Sequence, residues 1–214
     1  MYWQNQRGYN GIMPKIVDHE LRRRELADAA WRVIRRNGLE AASVRNIAKE
    51  AGVSLGSLRH YFNSQDDLLA YALGRVAERV RERIVNLRLT GDIRSDVVTI
   101  IEQTLPLDEE RQTEAIIWLA YLGKALANAG LGSLAAKTHD ELYRLYRGLL
   151  AALMRQGLLN PDADLELESR RLHALIDGLA VHGVAGRHAV DPGAIRAIVA
   201  RHLESLYADR SNRA

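Results

Sequence analysis

A short polar segment carries the side chains of this chain that are best suited to binding another molecule. Residues 54–61 place Ser57, Arg59 and His60 on a predicted helix of about two turns, where a core-filling helix would carry Ala and Leu. Gly56 leaves the backbone open to close approach. Hydroxyl, guanidinium and imidazole groups donate hydrogen bonds to phosphates and base edges, so this composition predicts contact with nucleic acid.

The segment is the second of two short predicted helices joined by a turn. Ser43 and Ser54 are typical N-cap residues, and Gly52 ends the first helix. This arrangement places a recognition helix in the major groove of DNA, although a surface hairpin that binds nothing is the alternative for the turn alone. We predict DNA contacts from nine residues: Ser43, Arg45, Ser54, Leu55, Gly56, Ser57, Arg59, His60 and Tyr61.

The elements around this unit are also predicted to be helical. No four-residue run alternates as a strand does, and the four prolines lie at segment boundaries. We predict an all-α fold of about nine helices. The expected helices cover residues 18–36, 44–51, 55–62, 95–105, 109–128 and 134–156, with two more after residues 161 and 191. A fourth helix after Ser64, of about 25 residues and ~40 Å in length, is expected to connect two domains.

Composition and charge narrow the class of protein. The 214 residues are 47% hydrophobic and 27% charged, without cysteine, which excludes disulfide and thiolate chemistry and favours a reducing cytoplasm. The longest uncharged apolar stretch, residues 115–123, is too short for a membrane span. Residues 1–62 hold eleven Lys and Arg against six Asp and Glu, whereas the remainder is net acidic. This asymmetry favours an N-terminal domain that meets a polyanion, a solvated helix face being the alternative.

The same patterns predict three regions. Residues 1–13 are expected to be a disordered arm, or to precede an alternative start at Met13. Residues 14–63 are the predicted helix-turn-helix DNA-binding domain. Residues 64–214 are the predicted helical domain for ligand binding and dimerisation.

Residues 38–69, GLEAASVRNIAKEAGVSLGSLRHYFNSQDDLL, carry a family resemblance. The segment resembles the DNA-binding part of TetR-family transcriptional regulators, including the Ala-Gly-Val-Ser turn and the Tyr-Phe pair. Two positions depart from the family: Arg59 stands where tyrosine is usual, and Gln65 where a phosphate-binding lysine is usual. The departure at Gln65 puts a phosphate contact there in doubt, and Arg59 is a candidate to replace it.

The resemblance implies a C-terminal domain whose middle helices enclose an effector pocket. The Arg-His-Tyr-Phe sequence and the helix pattern also resemble the betaine-regulating, choline-responsive subgroup. Aromatic walls and a few polar groups are typical of such pockets, although each residue alone could belong to a core. The predicted lining is Trp118, Tyr121, Leu122, His139, Tyr143, Tyr146, His173 and Asp177. The identity of the effector stays open.

The family also implies a dimer formed by the last two helices. Both carry apolar stripes with small residues, as a four-helix interface requires, although each residue could instead face the chain's own core. The predicted interface consists of Leu172, Leu175, Ile176, Leu179, Ala180, Gly183, Ile195, Ile198 and Val199.

We therefore predict a homodimeric transcriptional repressor that binds an inverted-repeat operator in double-stranded DNA and is released by a small-molecule effector. A DNA-bound adaptor controlled by a protein partner is the alternative, because the same aromatic residues would then be core. No catalytic role, cofactor, metal or membrane contact is expected. The seven histidines fall in no H-E-x-x-H pattern, and the chain has no G-x-S-x-G motif or phosphate loop.

Overall fold

A computed structural model describes residues 18–186 and 189–208. The predicted N-terminal arm, residues 1–13, lies outside the described residues. Within the described ranges the chain is helical, without a β-strand, and the prediction of an all-α fold is confirmed. The nine α-helices of these ranges are α1 His19–Asn37, α2 Val44–Glu50, α3 Leu55–Tyr61, α4 Gln65–Val85, α5 Ile93–Glu102, α6 Glu109–Ala127, α7 Gly132–Arg155, α8 Leu165–Gly183 and α9 Pro192–Leu206.

Side-chain caps fix where several of these helices begin. The Ser43 hydroxyl accepts a hydrogen bond from the backbone N–H of Asn46, and the Ser54 hydroxyl accepts one from that of Ser57. Ser64 caps α4 in the same way. Each cap pairs a backbone donor that has no partner inside its helix, as the sequence predicted for all three serines.

Helix α4 is shorter than predicted. It spans 21 residues, or about 32 Å, and ends before Asn86. The following loop folds back because the buried carboxylate of Asp96 accepts hydrogen bonds from the backbone N–H groups of Thr90 and Gly91 and from the Thr90 hydroxyl. These bonds, the one from the Thr90 N–H above all, lower the pKa of Asp96.

The buried apolar residues of the described ranges form two cores. The first is built around α1 to α3 and includes Ile47 and Leu58, but it continues along α4 to Val76 and takes in Ile117 of α6. The second joins α5 to the last three helices. The predicted boundary after residue 63 therefore passes through the first core, and α4 is an integral part of the domain that carries α3.

The turn between α2 and α3 depends on a glycine. Gly52 has φ of 66°, in the left-handed region that glycine tolerates best. The following Val53 N–H donates to the carbonyl of Ala48 at 3.0 Å, which closes the end of α2. The direction of α3 relative to α2 is fixed at this residue.

Replacing Gly52 is expected to destabilise the domain without touching its polar surface. A Cβ at this φ costs about 1–2 kcal/mol, so Gly52→Ala should lower the free energy of unfolding by that amount in urea titrations followed by circular dichroism. Gly56→Ala is the matched control, because Gly56 lies in a helix and its added Cβ would meet only Ser54 Oγ, at 3.8 Å. Equal losses in both variants would contradict this account of the turn.

Candidate nucleic-acid interface and cavity

Helix α3 presents an apolar side to the interior and a polar side to solvent. Leu58 and Phe62 anchor it, with exposed fractions of 0% and 1%. Gly56, Arg59 and His60 are exposed. The short helix is therefore held by its neighbours, and its outer side is available to a ligand.

Three cations on this face are not neutralised by any residue in the described part of the chain. Arg45, Lys49 and Arg59 are exposed and form no salt bridge within the described residues. On the neighbouring surface, by contrast, Arg32 donates to Glu50 at 2.8 Å. The positive charge of α2 and α3 is thus free to pair with phosphates.

The predicted contact residues with polar or small side chains lie on α2 and α3 or at their N-caps, and two of them also stabilise the fold. Ser43 and Ser54 use their oxygens as helix caps, which leaves each hydroxyl hydrogen free to donate to a phosphate. Leu55 and Ser57 are half-buried on the first turn of α3.

The ring of Tyr61 packs beside α1. Its centroid lies 4.8 Å from that of His19 and 5.4 Å from that of His60. The three rings pack together at the C-terminal end of α3, so His60 and Tyr61 lie side by side there.

Two residues on this face have roles that the sequence analysis did not assign. Lys49 lies one helical turn after Arg45 on α2, and this i, i+4 spacing was the signal that could have identified it. Gln65 donates from Nε2 to the carbonyl of Ala42 at 3.0 Å. Gln65 therefore ties α4 to the segment before α2, where a lysine would have supplied charge.

A cavity of about 270 Å³ lies between the middle helices. Its walls are mainly apolar and come mostly from α4, α6 and α7. The polar and charged lining residues are Thr104, Thr138, Glu114, Glu141, Arg81 and Arg111. Such a volume is near the lower end of that of small-molecule sites. The apolar walls include Leu73, Val76, Ala77, Val80, Ile84, Ala115, Trp118, Leu142 and Leu145.

Of the eight residues predicted to line a pocket, Trp118 lines this cavity. Tyr121 is instead buried in the first core, where its hydroxyl donates to the carbonyl of Leu131, and Leu122 packs against that core. Tyr146 is buried in the second core. The sequence analysis missed the α4 wall because an apolar stripe does not reveal whether it faces a core or a void.

The four other predicted pocket residues come together beside the second core. His139 of α7 faces His173 of α8, with ring centroids 4.4 Å apart, and Asp177 lies one turn further along α8. Tyr143 stacks beside His173 and donates its hydroxyl to Glu166 at 2.6 Å. These residues form a cluster that is separate from the cavity lining.

The predicted dimer stripes mostly face the chain's own interior. Leu175 is half-buried and Ile198 is exposed. Gly183 provides space for Pro106 and Ile195, which its Cβ would meet. The reason for the difference is that periodicity identifies a buried face and not the partner that buries it. The residues buried within the single chain are Leu172, Ile176, Leu179, Ala180, Gly183, Ile195 and Val199.

A buried ion pair joins α4 to α6 at the edge of the cavity. Arg83 bonds both carboxylate oxygens of Glu114, a residue only 5% exposed, and also donates to the carbonyl of Gln103 at 3.1 Å. Burial raises the pKa of Glu114, whereas the hydrogen bond to that carboxylate raises the pKa of Arg83. Because an unpaired charge here would be costly, this pair fixes the C-terminal end of α4 against α6.

Comparison with known proteins agrees with this geometry. A family profile described as "Bacterial regulatory proteins, tetR family" matches residues 26–72, and one described as "BetI-type transcriptional repressor, C-terminal" matches residues 93–208. The regulator PksA of Bacillus subtilis is 40% identical over 195 residues, which cover 91% of this chain and 94% of PksA. BetI 2 of Chromohalobacter salexigens is 31% identical over 201 residues and 92% of each chain.

Solved structures show the same fold. The crystal structure of a transcriptional regulator from Saccharomonospora viridis in complex with choline superposes with a TM-score of 0.79 at 27% identity, covering 89% of this chain and 100% of that one. No described helix has both the length and the apolarity that a membrane span needs. The matched profiles and the 40% identical relative show that this chain belongs to the TetR family, as a non-enzymatic DNA-binding transcriptional regulator with a C-terminal domain of the BetI type.

Proposed function

We propose that the chain is a cytoplasmic, homodimeric repressor that holds an inverted-repeat operator and releases it when a small molecule fills the cavity. The observation that carries the proposal is that Leu73 and Val76 of α4 belong both to the core behind the recognition helix and to the cavity wall. A ligand that changes the position of α4 therefore acts on the DNA-binding domain directly. The mechanism requires no cofactor.

The contacts with DNA divide into positioning and reading roles. Arg45 and Lys49 on α2 are placed to bind phosphates, which fix the register of the domain on the duplex. Arg59, from the exposed side of α3, either pairs with guanine or binds a phosphate. Gly56 lets the α3 backbone approach the groove, since nothing in the fold itself crowds that position.

The outer faces of α8 and α9 supply the dimer contact in this proposal. Leu167, Val181 and Ile198 are among the exposed large apolar residues of the described chain, with exposed fractions of 55%, 46% and 39%. Pairing these faces across a two-fold axis would cover them and present two copies of α3 to successive half-sites. The pair of helices remains the one predicted from sequence, and Ile198 belongs to the predicted interface. Leu167 and Val181 were not in the predicted set, most of which is buried within the single chain.

The apolar walls favour an effector with a small hydrocarbon body. Trp118 offers an aromatic face, which suits an organic cation, whereas the lining carboxylates of Glu114 and Glu141 are already paired with basic side chains of the chain. The related regulator from Saccharomonospora viridis was solved with choline. Choline is therefore the first compound to test here.

The energy required for such a switch is modest. A coupling of about 1–3 kcal/mol between cavity and operator corresponds to a change in DNA affinity of about 5- to 150-fold. Rotation of α4 about its Arg83 anchor on α6 would alter the separation of the two α3 helices in the dimer. The ligand must bind the released arrangement more tightly than the DNA-bound one.

Selection of binding sites from a random duplex pool tests the DNA half of the proposal. Enrichment of an inverted repeat is expected, with an affinity that falls steeply as salt is raised. If Arg59 binds a phosphate, Arg59→Ala should reduce the slope of log affinity against log salt concentration by about 1. If Arg59 reads a base, the variant should instead relax the sequence preference at one base pair. Failure to enrich any sequence would contradict the proposal.

Gly56→Ala separates recognition from folding. A helical Gly→Ala change costs no stability and is expected to add up to about 1 kcal/mol. The new methyl group should nevertheless weaken operator binding at least tenfold in a fluorescence anisotropy titration, because it lies between α3 and the groove. Wild-type affinity in a stably folded Gly56→Ala protein would show that α3 does not approach DNA at this residue.

Thermal unfolding with choline and with apolar compounds tests the effector half. A ligand at 100 times its dissociation constant adds about 2.7 kcal/mol, which raises the midpoint of unfolding, and the same ligand should lower operator affinity. If operator binding is specific but indifferent to every compound, the adaptor controlled by a protein partner becomes the better function.

A further inference from the structure

The cluster of His139, His173 and Asp177 joins two helices at a point that neither the cavity nor the DNA surface uses. Each residue offers a nitrogen or oxygen ligand atom, and these atoms lie within 4.8 Å of one another. His173 Nε2 and Asp177 Oδ2 are 3.7 Å apart on adjacent turns of α8. His139 approaches from α7, which packs against α8 along its length.

The imidazole of His173 is not explained by packing alone. Its side chain is 5% exposed, and its buried Nε2 atom has no hydrogen-bond partner among the residues that the structure describes. A buried nitrogen without a partner is costly, so natural structures usually pair it with a hydrogen-bonding group or a metal ion. The atom that lacks a partner is the one that faces Asp177.

We propose that His139, His173 and Asp177 bind a divalent transition-metal ion of the zinc type, which cross-links α7 to α8. Two imidazole nitrogens and one carboxylate oxygen are ligands that zinc accepts, and they leave a fourth position for water. Magnesium and calcium prefer all-oxygen sites and are excluded by the two histidines. The sequence analysis expected no metal, because it searched for ligand spacing within one segment, and this site uses two.

The spacing fits an ion after a small side-chain movement. Ligand bonds of about 2.0–2.2 Å in a tetrahedron place ligand atoms roughly 3.3 Å from one another. The distance of 3.7 Å within α8 is already close to this. His139 must move closer to these two atoms, and its exposed side chain allows a change of rotamer.

Burial shifts the pKa values of the two α8 ligands in opposite directions. Burial lowers the pKa of His173, so its ring is neutral and its nitrogen lone pair is available. Burial raises the pKa of Asp177, but a bound cation stabilises the carboxylate and reverses this effect.

The site also has a structural route to the cavity. The ring of His173 lies 5.3 Å from that of Tyr146, whose hydroxyl donates to Thr104 Oγ1 at 3.0 Å. Thr104 lines the cavity, as does Ala180, one turn beyond Asp177. An ion that fixes α7 on α8 would thus hold one side of the cavity rigid.

Calorimetric titration of the full chain, prepared without a histidine tag, tests the proposal with Zn²⁺ as the probe. One Zn²⁺ per chain is expected, together with a rise in the midpoint of thermal unfolding, whereas Mg²⁺ should produce neither. His139→Ala keeps the buried residues in place and should weaken Zn²⁺ binding at least tenfold, since losing even a second-layer partner costs ~10–100-fold. Asp177→Asn should weaken it similarly.

His182→Ala is the matched control, since His182 is an exposed histidine on the same helix. Its Zn²⁺ affinity should equal that of the unmodified chain. The proposal would be overturned if His139→Ala bound Zn²⁺ as tightly as the unmodified chain does. It would also be overturned if Zn²⁺ binding were not saturable, or if His182→Ala lost more affinity than His139→Ala. Co²⁺ absorption in the visible range provides an independent readout, expected to be tetrahedral in the unmodified chain and lost in His139→Ala.

Discussion

The fold depends on the burial of α4 by two different neighbours. Its first three turns complete the core behind the recognition helix, and its later turns form the wall of a cavity and end at the Arg83–Glu114 pair. Leu73 and Val76 serve both surroundings. Because packed cores respond to displacement by moving as units, this single helix mechanically links the cavity to the face that meets DNA.

The polar groups of the chain divide according to whether the fold needs them. Ser43 and Ser54 cap helices, and Glu114 is held by Arg83, so these groups are satisfied within the chain. The cations Arg45 and Arg59 are exposed and form no salt bridge within the described residues, which leaves them available to phosphates in the proposed complex. A surface that gives up internal salt bridges loses little stability and gains affinity for phosphate.

The sequence predicted local structure well and the partners of buried faces poorly. Capping serines and glycine stops act within a few residues, so helix starts and the turn at Gly52 could be read directly. Leu172 and Ile195 were correctly expected to be buried, but their periodicity could not distinguish the chain's own core from a second chain. The α4 wall and the meeting of His139 with His173 depend on how distant helices pack, which no local pattern encodes.

The most direct test of the link through α4 is the operator affinity of a variant in which an introduced side chain fills the cavity. Ala77 lies on α4 and lines the cavity, and Ala136 is exposed on α7. Ala77→Phe should fold, dimerise like the unmodified chain and bind the selected operator at least tenfold more weakly, whereas Ala136→Phe should bind it normally. Unchanged operator affinity in a folded Ala77→Phe dimer would contradict the account, because the cavity would then be filled without effect on the DNA-binding face.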